Sequence, residues 1–431
     1  MTNTPAQSRA QAQWYSPTPL APPGPVPDDR TRRRVRAWLG ERTDEMAELL
    51  IRLVAVESEN PPGRELGRCA ATLRDALAGL GIEARLLPVT AAPAGPEDPA
   101  VVRATVGDGD RLLYFHGHFD VVPAQDRGQF SAVRAGGRIT GRGTADMKGG
   151  VVGMVYGAVA ARELGLIDDG RIVLHLVCDE ETGSVAGAGE LVARGLIDPG
   201  ALAVLTAEPS GGAIWHAARG ALTLRVDVRG TEAHVGQAER GVNAFLRMLD
   251  LVRPVERYAA ELAGRPTGFA TGPDDPPGSQ LVIGGLAGSG ANFNVVPGTA
   301  YFTIDGRFNP EEDPVVEERR LRALIEEAAR ETGTEVTVVR TQLQPSAATD
   351  PGHPAAGVLA RTVAAVEGVP ARFELCPGIL ETRWYARHSV PAFGYGPGRL
   401  DVSHGPREYV EEAALHRTAE VYALYAGELL G

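Results

Sequence analysis

RIVLHLVCD, residues 171–179, is apolar almost throughout and closes on an aspartate. A short apolar run rich in β-branched residues reads as a strand buried on both faces. Its surroundings set the fold class. Residues 148–164, rich in small side chains, predict a long helix before it, and a helix at 186–194 and a strand at 202–206 are predicted after it. Upstream, apolar segments at 84–87, 101–106 and 112–115 predict three more strands. Between residues 31 and 57, Val35, Trp38, Leu39, Met46, Leu49, Leu50, Leu53 and Val54 recur at helical spacing. NPPGRE at 60–65 breaks that pattern, and a second helix is predicted from 65 to 80. Strands alternating with helices predict an α/β class: a mixed, largely parallel sheet with helices on both faces.

The texture changes near residue 217. ALTLRVDVRG (221–230) alternates apolar and polar, as a half-exposed strand does. A helix at about 242–262, a Gly/Pro-rich loop at 264–279, strands at 281–286 and 295–305, a charged helix at 314–332 and a strand at 335–340 follow. The order β-α-β-β-α-β is that of a compact α+β module. The expected organisation is therefore a mobile Pro-rich tail (1–29), an α/β domain in two parts (30–217 and 342–431) and a smaller inserted α+β domain (218–341). No internal repeat is visible.

The chain has 431 residues, 43% hydrophobic and 23% charged, with a net charge of −12. That composition excludes a mostly disordered chain, and its acidic balance speaks against a nucleic-acid binder. No apolar run approaches the ~18 residues of a membrane span. Cys69, Cys178 and Cys376 are too few and too scattered for a disulfide framework or a Cys-rich zinc knuckle. The N-terminus lacks the apolar core of a secretory signal, so the cytoplasm is the expected compartment. Lys148 is the only lysine, in a chain whose basic residues are otherwise arginine.

Five segments concentrate carboxylates and histidines at predicted strand ends. In FHGHFDVVP (115–123), His118 and Asp120 lie two apart on extended chain and point to one side. A carboxylate that orients a ligating histidine has this spacing, although alone the pair is merely two polar residues at a strand end. In GRGTADMKGG (141–150), Asp146 sits in a glycine-flanked turn before a helix, where a carboxylate is commonly an N-cap. The glycines imply close backbone approach, and Lys148 alone reads as a surface lysine. VCDEETGS (177–184) places Asp179, Glu180 and Glu181 directly after the buried strand. Such crowding is a solvated turn, or it is costly unless a cation is present. LTAEPSG (205–211) adds Glu208, and DVSHGPREYV (401–410) adds His404. Together they supply two histidines and three separate carboxylates, with a spare Glu and a spare Asp. That inventory suits two ions sharing one bridging carboxylate. Mixed His and carboxylate donors without thiolates favour zinc, with manganese or cobalt as alternatives. Such a pair polarises a carbonyl and activates water, and the spare Glu serves as general base.

From about residue 35 to the C-terminus these segments, in this order, resemble the dinuclear zinc aminoacylases and carboxypeptidases. That family includes acetylornithine deacetylase, succinyl-diaminopimelate desuccinylase, aminoacylase and carboxypeptidase G. The resemblance implies that His118 and Glu208 bind one zinc, Glu181 and His404 the other, and Asp146 bridges both. It implies that Asp120 orients His118 and that Glu180 is the general base. The family's aminopeptidases usually have Asp where Glu208 stands, so the resemblance leans toward deacylases and carboxypeptidases.

In GTEAHVGQAERGVNA (230–244), His234 resembles the histidine that stabilises the oxyanion from the partner subunit of a dimer. NVVP (294–297) and DGR (305–307) resemble the grip on the substrate carboxylate, which implies roles for Asn294 and Arg307. An arginine fork matches a carboxylate. Read alone, Arg307 is a strand-end surface charge and His234 a polar turn residue. Where many relatives read Gly-Gly-Thr-Asp-x-Arg, this chain has PGILETRWYA (377–386): Gly378 and Arg383 fit, while Ile379, Leu380 and Glu381 depart. Phe119 replaces the usual Thr between His118 and Asp120.

The expected activity is hydrolysis of the amide of an N-acyl amino acid, deacetylase- or desuccinylase-like. The expected partners are that small substrate or a short peptide and a second copy of the chain, with no nucleic acid and no membrane. The alternatives are a carboxypeptidase or dipeptidase, a deformylase or decarbamoylase of a small N-acyl amine, or a non-catalytic metal-bound binding protein. The intact Glu180 argues against the last.

Overall fold

The computed structural model describes residues 28–89 and 98–431, so the expected Pro-rich tail lies, but for its last two residues, outside the described part. Those two, Asp28 and Asp29, open a helix. The Asp28 carboxylate caps Asp29–Gly40 by accepting from the backbone N–H groups of Arg30 and Thr31. The single helical stretch expected from 31 to 57 is two helices, Asp29–Gly40 and Thr43–Val54. Gly40, a poor helix former, stands at the break. Among the described residues no helix is long and apolar enough to cross a membrane.

The chain forms two compact units. The larger holds the described residues up to His216, together with Thr349–Glu374 and Glu381–Gly431. At its centre four parallel strands run in the order Gly170–Val177, Arg111–His118, Ala203–Thr206 and Ala392–Gly394. Antiparallel strands Ala100–Gly107 and Ala84–Pro88 extend one side. The largely parallel sheet with helices on both faces is as expected. Leu113 and Phe115 face one core with the helices Lys148–Glu163 and Glu412–Leu430. Tyr114, one residue out of phase, turns to the other face and meets Tyr385 of the helix Thr382–Ala386.

Helix Lys148–Glu163 is buried from Lys148 through Ala161, hence its lack of an apolar stripe. Small residues let its neighbours approach. A Cβ on Gly150 would lie 2.2 Å from the carbonyl of Ala207, the residue before Glu208. The close approach implied by these glycines is thus to the protein's own backbone.

The smaller unit comprises Ala217–Ala348 and Leu375–Leu380. Its antiparallel sheet runs in the order Gln280–Ser289, Thr299–Phe308, Gly220–Arg229, Glu335–Gln344. Leu222, Leu224, Val226 and Val228 share a core with Met248, Leu251 and Val255 of helix Ala244–Ala263 and Leu321 and Ile325 of helix Pro314–Thr332. The strand expected at 295–305 is Val295–Val296 and Thr299–Phe308, interrupted at Pro297, which has no N–H to give to a ladder.

Candidate metal centre

Parallel strands leave their C-terminal ends along one edge, where open α/β sheets bind ligands. His118 is the last residue of its strand, Glu180 and Glu181 follow Val177, and Glu208 follows Thr206. Asp146 arrives from the turn before Lys148–Glu163, and His404 from the loop before strand Tyr409–Glu411.

Asp146 is the centre of the cluster. Its Oδ1 lies 3.2 Å from His118 Nε2 and its Oδ2 3.3 Å from His404 Nε2. His404 Nε2 also lies 3.3 Å from Glu181 Oε1, and His118 Nε2 3.9 Å from Glu208 Oε1. Donor atoms within 4.8 Å of one another form three sets: His118, Asp146 and Glu208; Asp146, Glu181 and His404; and His118, Glu180 and Glu181. The first two share Asp146. Asp146 is not the N-cap of its helix, since Met147 takes that position.

The surroundings hold this geometry. Asp120, fully buried, lies 3.3 Å from His118 Nδ1 and accepts from the backbone N–H groups of Glu180 (3.2 Å) and Glu181 (3.1 Å). Asn60 Nδ2 donates to Asp120 Oδ2 (3.1 Å) and to Thr182 Oγ1 (3.0 Å). Phe119, between His118 and Asp120, is buried in the apolar core. Glu408 Oε1 accepts from the backbone of Ala145 and Asp146, while its Oε2 accepts from Arg142 Nη1 at 2.6 Å. Arg142 Nη2 donates to the His404 carbonyl at 3.3 Å. The segment carrying His404 and the turn carrying Asp146 are thereby joined. Gly143, at φ 83°, gives that turn its left-handed residue.

Asn60, Arg142 and Glu408 were not singled out from the sequence. Their only signal is a polar or charged side chain inside a Gly- or Pro-rich segment. Lys148 is a correction: it is buried rather than exposed. Its Nζ donates to the carbonyls of Leu53 and Val56, which ends the helix Thr43–Val54. Asp179 is likewise buried, with Oδ2 accepting from Ala186 N–H, so it belongs to the turn's frame.

The electrostatics are those of a site built for cations. Burial works against a charged His118, but the Asp120 and Asp146 carboxylates outweigh it and hold this imidazole well above its usual range. The Asp146 and Glu181 carboxylates raise His404 to about 10. Both histidines outweigh burial at Asp146 and keep it below the usual carboxylate range. Burial pushes Glu208 up to about 8 and raises Glu181, and it raises Glu180 well above its ordinary value, with Glu181 and Glu208 adding repulsion. Glu208 Oε1 is buried without a hydrogen-bond partner. Divalent cations displace protons from donors of this kind, and hard oxygens with imidazole nitrogens suit zinc, manganese or cobalt.

The residues predicted on the smaller unit are arranged differently. His234 pairs with Val295, accepts on Nδ1 from Gly236 N–H (3.0 Å) and is exposed. Asn294, also exposed, accepts on its carbonyl from Val235 N–H, so His234 and Asn294 are neighbours. Arg307 lies near the far end of Thr299–Phe308, ion-paired with Asp305. At ~3.3 Å per residue the strand separates it from the Asn294 end by roughly 26 Å. The expected pairing of Asn294 with Arg307 is therefore not made within one chain, because a single extended strand lies between them. The Gly378 carbonyl accepts from Arg219 N–H (3.0 Å), also within the smaller unit.

Comparison with known proteins agrees with the motif resemblance. A succinyl-diaminopimelate desuccinylase of Gluconacetobacter diazotrophicus is 28% identical over 376 residues, 85% of this chain and 92% of that protein. The N-formyl-4-amino-5-aminomethyl-2-methylpyrimidine deformylase of Halalkalibacterium halodurans is 25% identical over 406 residues, 88% of this chain and 93% of that one. Among solved structures, human carnosine dipeptidase 1 superposes with a TM-score of 0.75 at 18% identity, covering 95% of this chain and 100% of that one. Bacillus subtilis YXEP, described as a dinuclear metal-binding peptidase, superposes with a TM-score of 0.61 at 15% identity, covering 90% and 99%. The model of peptidase family M20/M25/M40 matches residues 114–428, and the chain belongs to that family of hydrolases.

Proposed function

We propose that the chain hydrolyses the amide bond of a small N-acyl amino acid with two zinc ions. The observation that carries this reading is the pair of donor sets sharing Asp146, with Glu180 beside them. His118, Asp146 and Glu208 would hold one ion; Asp146, Glu181 and His404 the other. When bound, the metals supply Lewis acidity, which lowers the pKa of water and polarises the amide carbonyl. Asp120 orients His118 through Nδ1 and fixes the backbone of Glu180 and Glu181. Glu180 takes a proton from the attacking water on its carboxylate and delivers it to the leaving nitrogen. Its raised proton affinity supports that cycle.

His234 stabilises the oxyanion, and Arg307, Asn294 and Gly378 bind the substrate carboxylate and its surroundings. Residues 218–341 act as the inserted lid and dimerisation domain. The separation of Arg307 from Asn294 and His234 supports supply of the latter two by a second copy. Exposed apolar side chains on the same unit support that dimer: Phe245, Leu246 and Leu249 on one helix, and Val282 and Leu286 on the edge strand Gln280–Ser289. Cys69, Cys178 and Cys376 are buried, and a chain so poor in cysteine supports a cytoplasmic location.

The desuccinylase relative supports an acyl amino acid substrate. The deformylase relative, matched over most of both chains, supports a second reading as deformylase of a small N-acyl amine. The test is release of free amine from N-acetyl, N-succinyl and N-formyl amino acids and from dipeptides, before and after chelation. Chelator-sensitive release restored by zinc is expected from the N-acyl amino acids. Release from the dipeptides alone, or from none by the zinc-loaded protein, would overturn the proposal.

A further inference from the structure

Glu180–Thr182 is a single tight turn. Gly183 N–H donates to the Glu180 carbonyl (3.0 Å), and Ser184 N–H to the Asp179 carbonyl (2.9 Å). So short a turn leaves N–H groups unmatched at its start and carbonyls unmatched at its end. At the start, Asp120 accepts from Glu180 and Glu181. At the end, Arg383 Nη2 donates to the Gly183 carbonyl at 3.2 Å. The turn is held by an anion at its N–H end and a cation at its carbonyl end, the polarity its peptide dipoles favour.

Arg383 is 1% exposed, so its charge needs a buried partner. The carboxylates of Glu381, Glu180 and Asp179 offset its burial, and Glu381, two residues earlier and fully buried, is itself fixed. His116 Nε2 donates to Glu381 Oε2 at 2.6 Å, and His116 Nδ1 lies 2.9 Å from the Tyr385 hydroxyl. The same hydroxyl lies 2.9 Å from His175 Nδ1. A phenol has one proton, so it donates to one imidazole and accepts from the other, which orients both rings. His116 and His175 stand opposite each other on adjacent central strands. The hydrogen-bond chain therefore ties Glu381 to two central strands of the sheet.

We infer that Arg383 is a positioning residue for Glu180, acting through the Gly183 carbonyl. Its side chain is buried, so it need not touch substrate to matter. The inference rests on Glu180 as the general base proposed above.

The test compares Arg383→Met, Arg383→Lys and Glu180→Gln in the zinc-loaded full chain, measuring kcat, KM, metal content and melting temperature. Displacing a catalytic group by an ångström costs about 100-fold in rate. Arg383→Met is expected to lose about that much kcat with KM and metal content unchanged, and Arg383→Lys, which keeps a donor and a charge, is expected to recover part of it. Should Arg383→Met not fold, a kcat loss at unchanged KM in Arg383→Lys carries the test. Unchanged kcat, a rise in KM alone, or a Lys variant no better than Met would overturn the inference. If Glu180→Gln keeps activity, the base assignment fails instead.

Discussion

His118, Asp146, Glu181, Glu208 and His404 meet at one edge of the larger unit's sheet, and Asp120, Asn60, Arg142 and Glu408 lock the backbone around them. On the smaller unit, His234 and Asn294 are exposed at one end of a sheet and Arg307 sits toward the other. The first set is complete in one chain and the second is not. His118, Glu181 and Glu208 at strand ends and Asp146 in a turn braced by Glu408 are fixed by folding alone, and His404, exposed on its loop, is braced by the Arg142 bond to its carbonyl. Exposed donors on a separate module acquire their geometry from whatever they meet. On the proposed function, bond cleavage belongs to the larger unit and the residues proposed for substrate recognition lie on the smaller one.

The largest expected effect lies in the complete set. Glu180→Gln should lower kcat by about 10²–10⁴-fold while both metals stay bound, measured by steady-state kinetics alongside elemental analysis. Activity near that of the parent would remove Glu180 from the mechanism.

The next prediction probes the incomplete set. His234→Ala should cost about 10²–10³-fold in kcat, the usual loss for an oxyanion donor. If His234 acts across a dimer, mixing His234→Ala with Glu180→Gln under subunit exchange should regenerate activity. Each mixed dimer then holds one site with both residues intact. No recovery in a demonstrated mixed dimer would place His234 and Glu180 in the same chain's site.

A smaller effect is expected in the frame around the donors. Glu408→Ala removes the acceptor for the Ala145 and Asp146 N–H groups and leaves Arg142 without its buried partner. Zinc affinity should fall about 10- to 100-fold, read by competition with a chromogenic chelator.

The smallest is a pH effect. In metal-free protein Glu208 is raised to about 8 and His404 to about 10, above their unfolded values of 4.5 and 6.5. Between those limits the folded state holds more protons than the unfolded one, so stability falls as pH rises. Chelated protein should melt a few degrees lower at pH 9 than at pH 6, with a flatter dependence once zinc replaces the protons. An equal slope in both forms would contradict the account.

Much of the larger unit was legible in the sequence because buried parallel strands read as unbroken apolar runs and their ends carry the unusual residues. His118, Asp146, Glu180, Glu181 and Glu208 each follow such a run or a glycine-marked turn. Lys148 misled because a lysine's burial depends on carbonyls nearly a hundred residues away, which no local pattern shows. Asn60, Arg142 and Glu408 were hidden for the same reason: their partners lie far along the chain. Glu381 reads in the sequence only as a departure from the pattern of many relatives. Its partner, His116, lies two residues before His118 on the strand, facing the helix that carries Tyr385.

The proposed centre holds two metals on one bridging carboxylate, Asp146. Zinc titration of the chelated full chain against Asp146→Ala, followed by elemental analysis after dialysis, tests it most directly. The account predicts about two ions per parent chain and loss of tight binding of both in the variant. Two tightly held ions in Asp146→Ala, or none in the parent offered zinc, would contradict it.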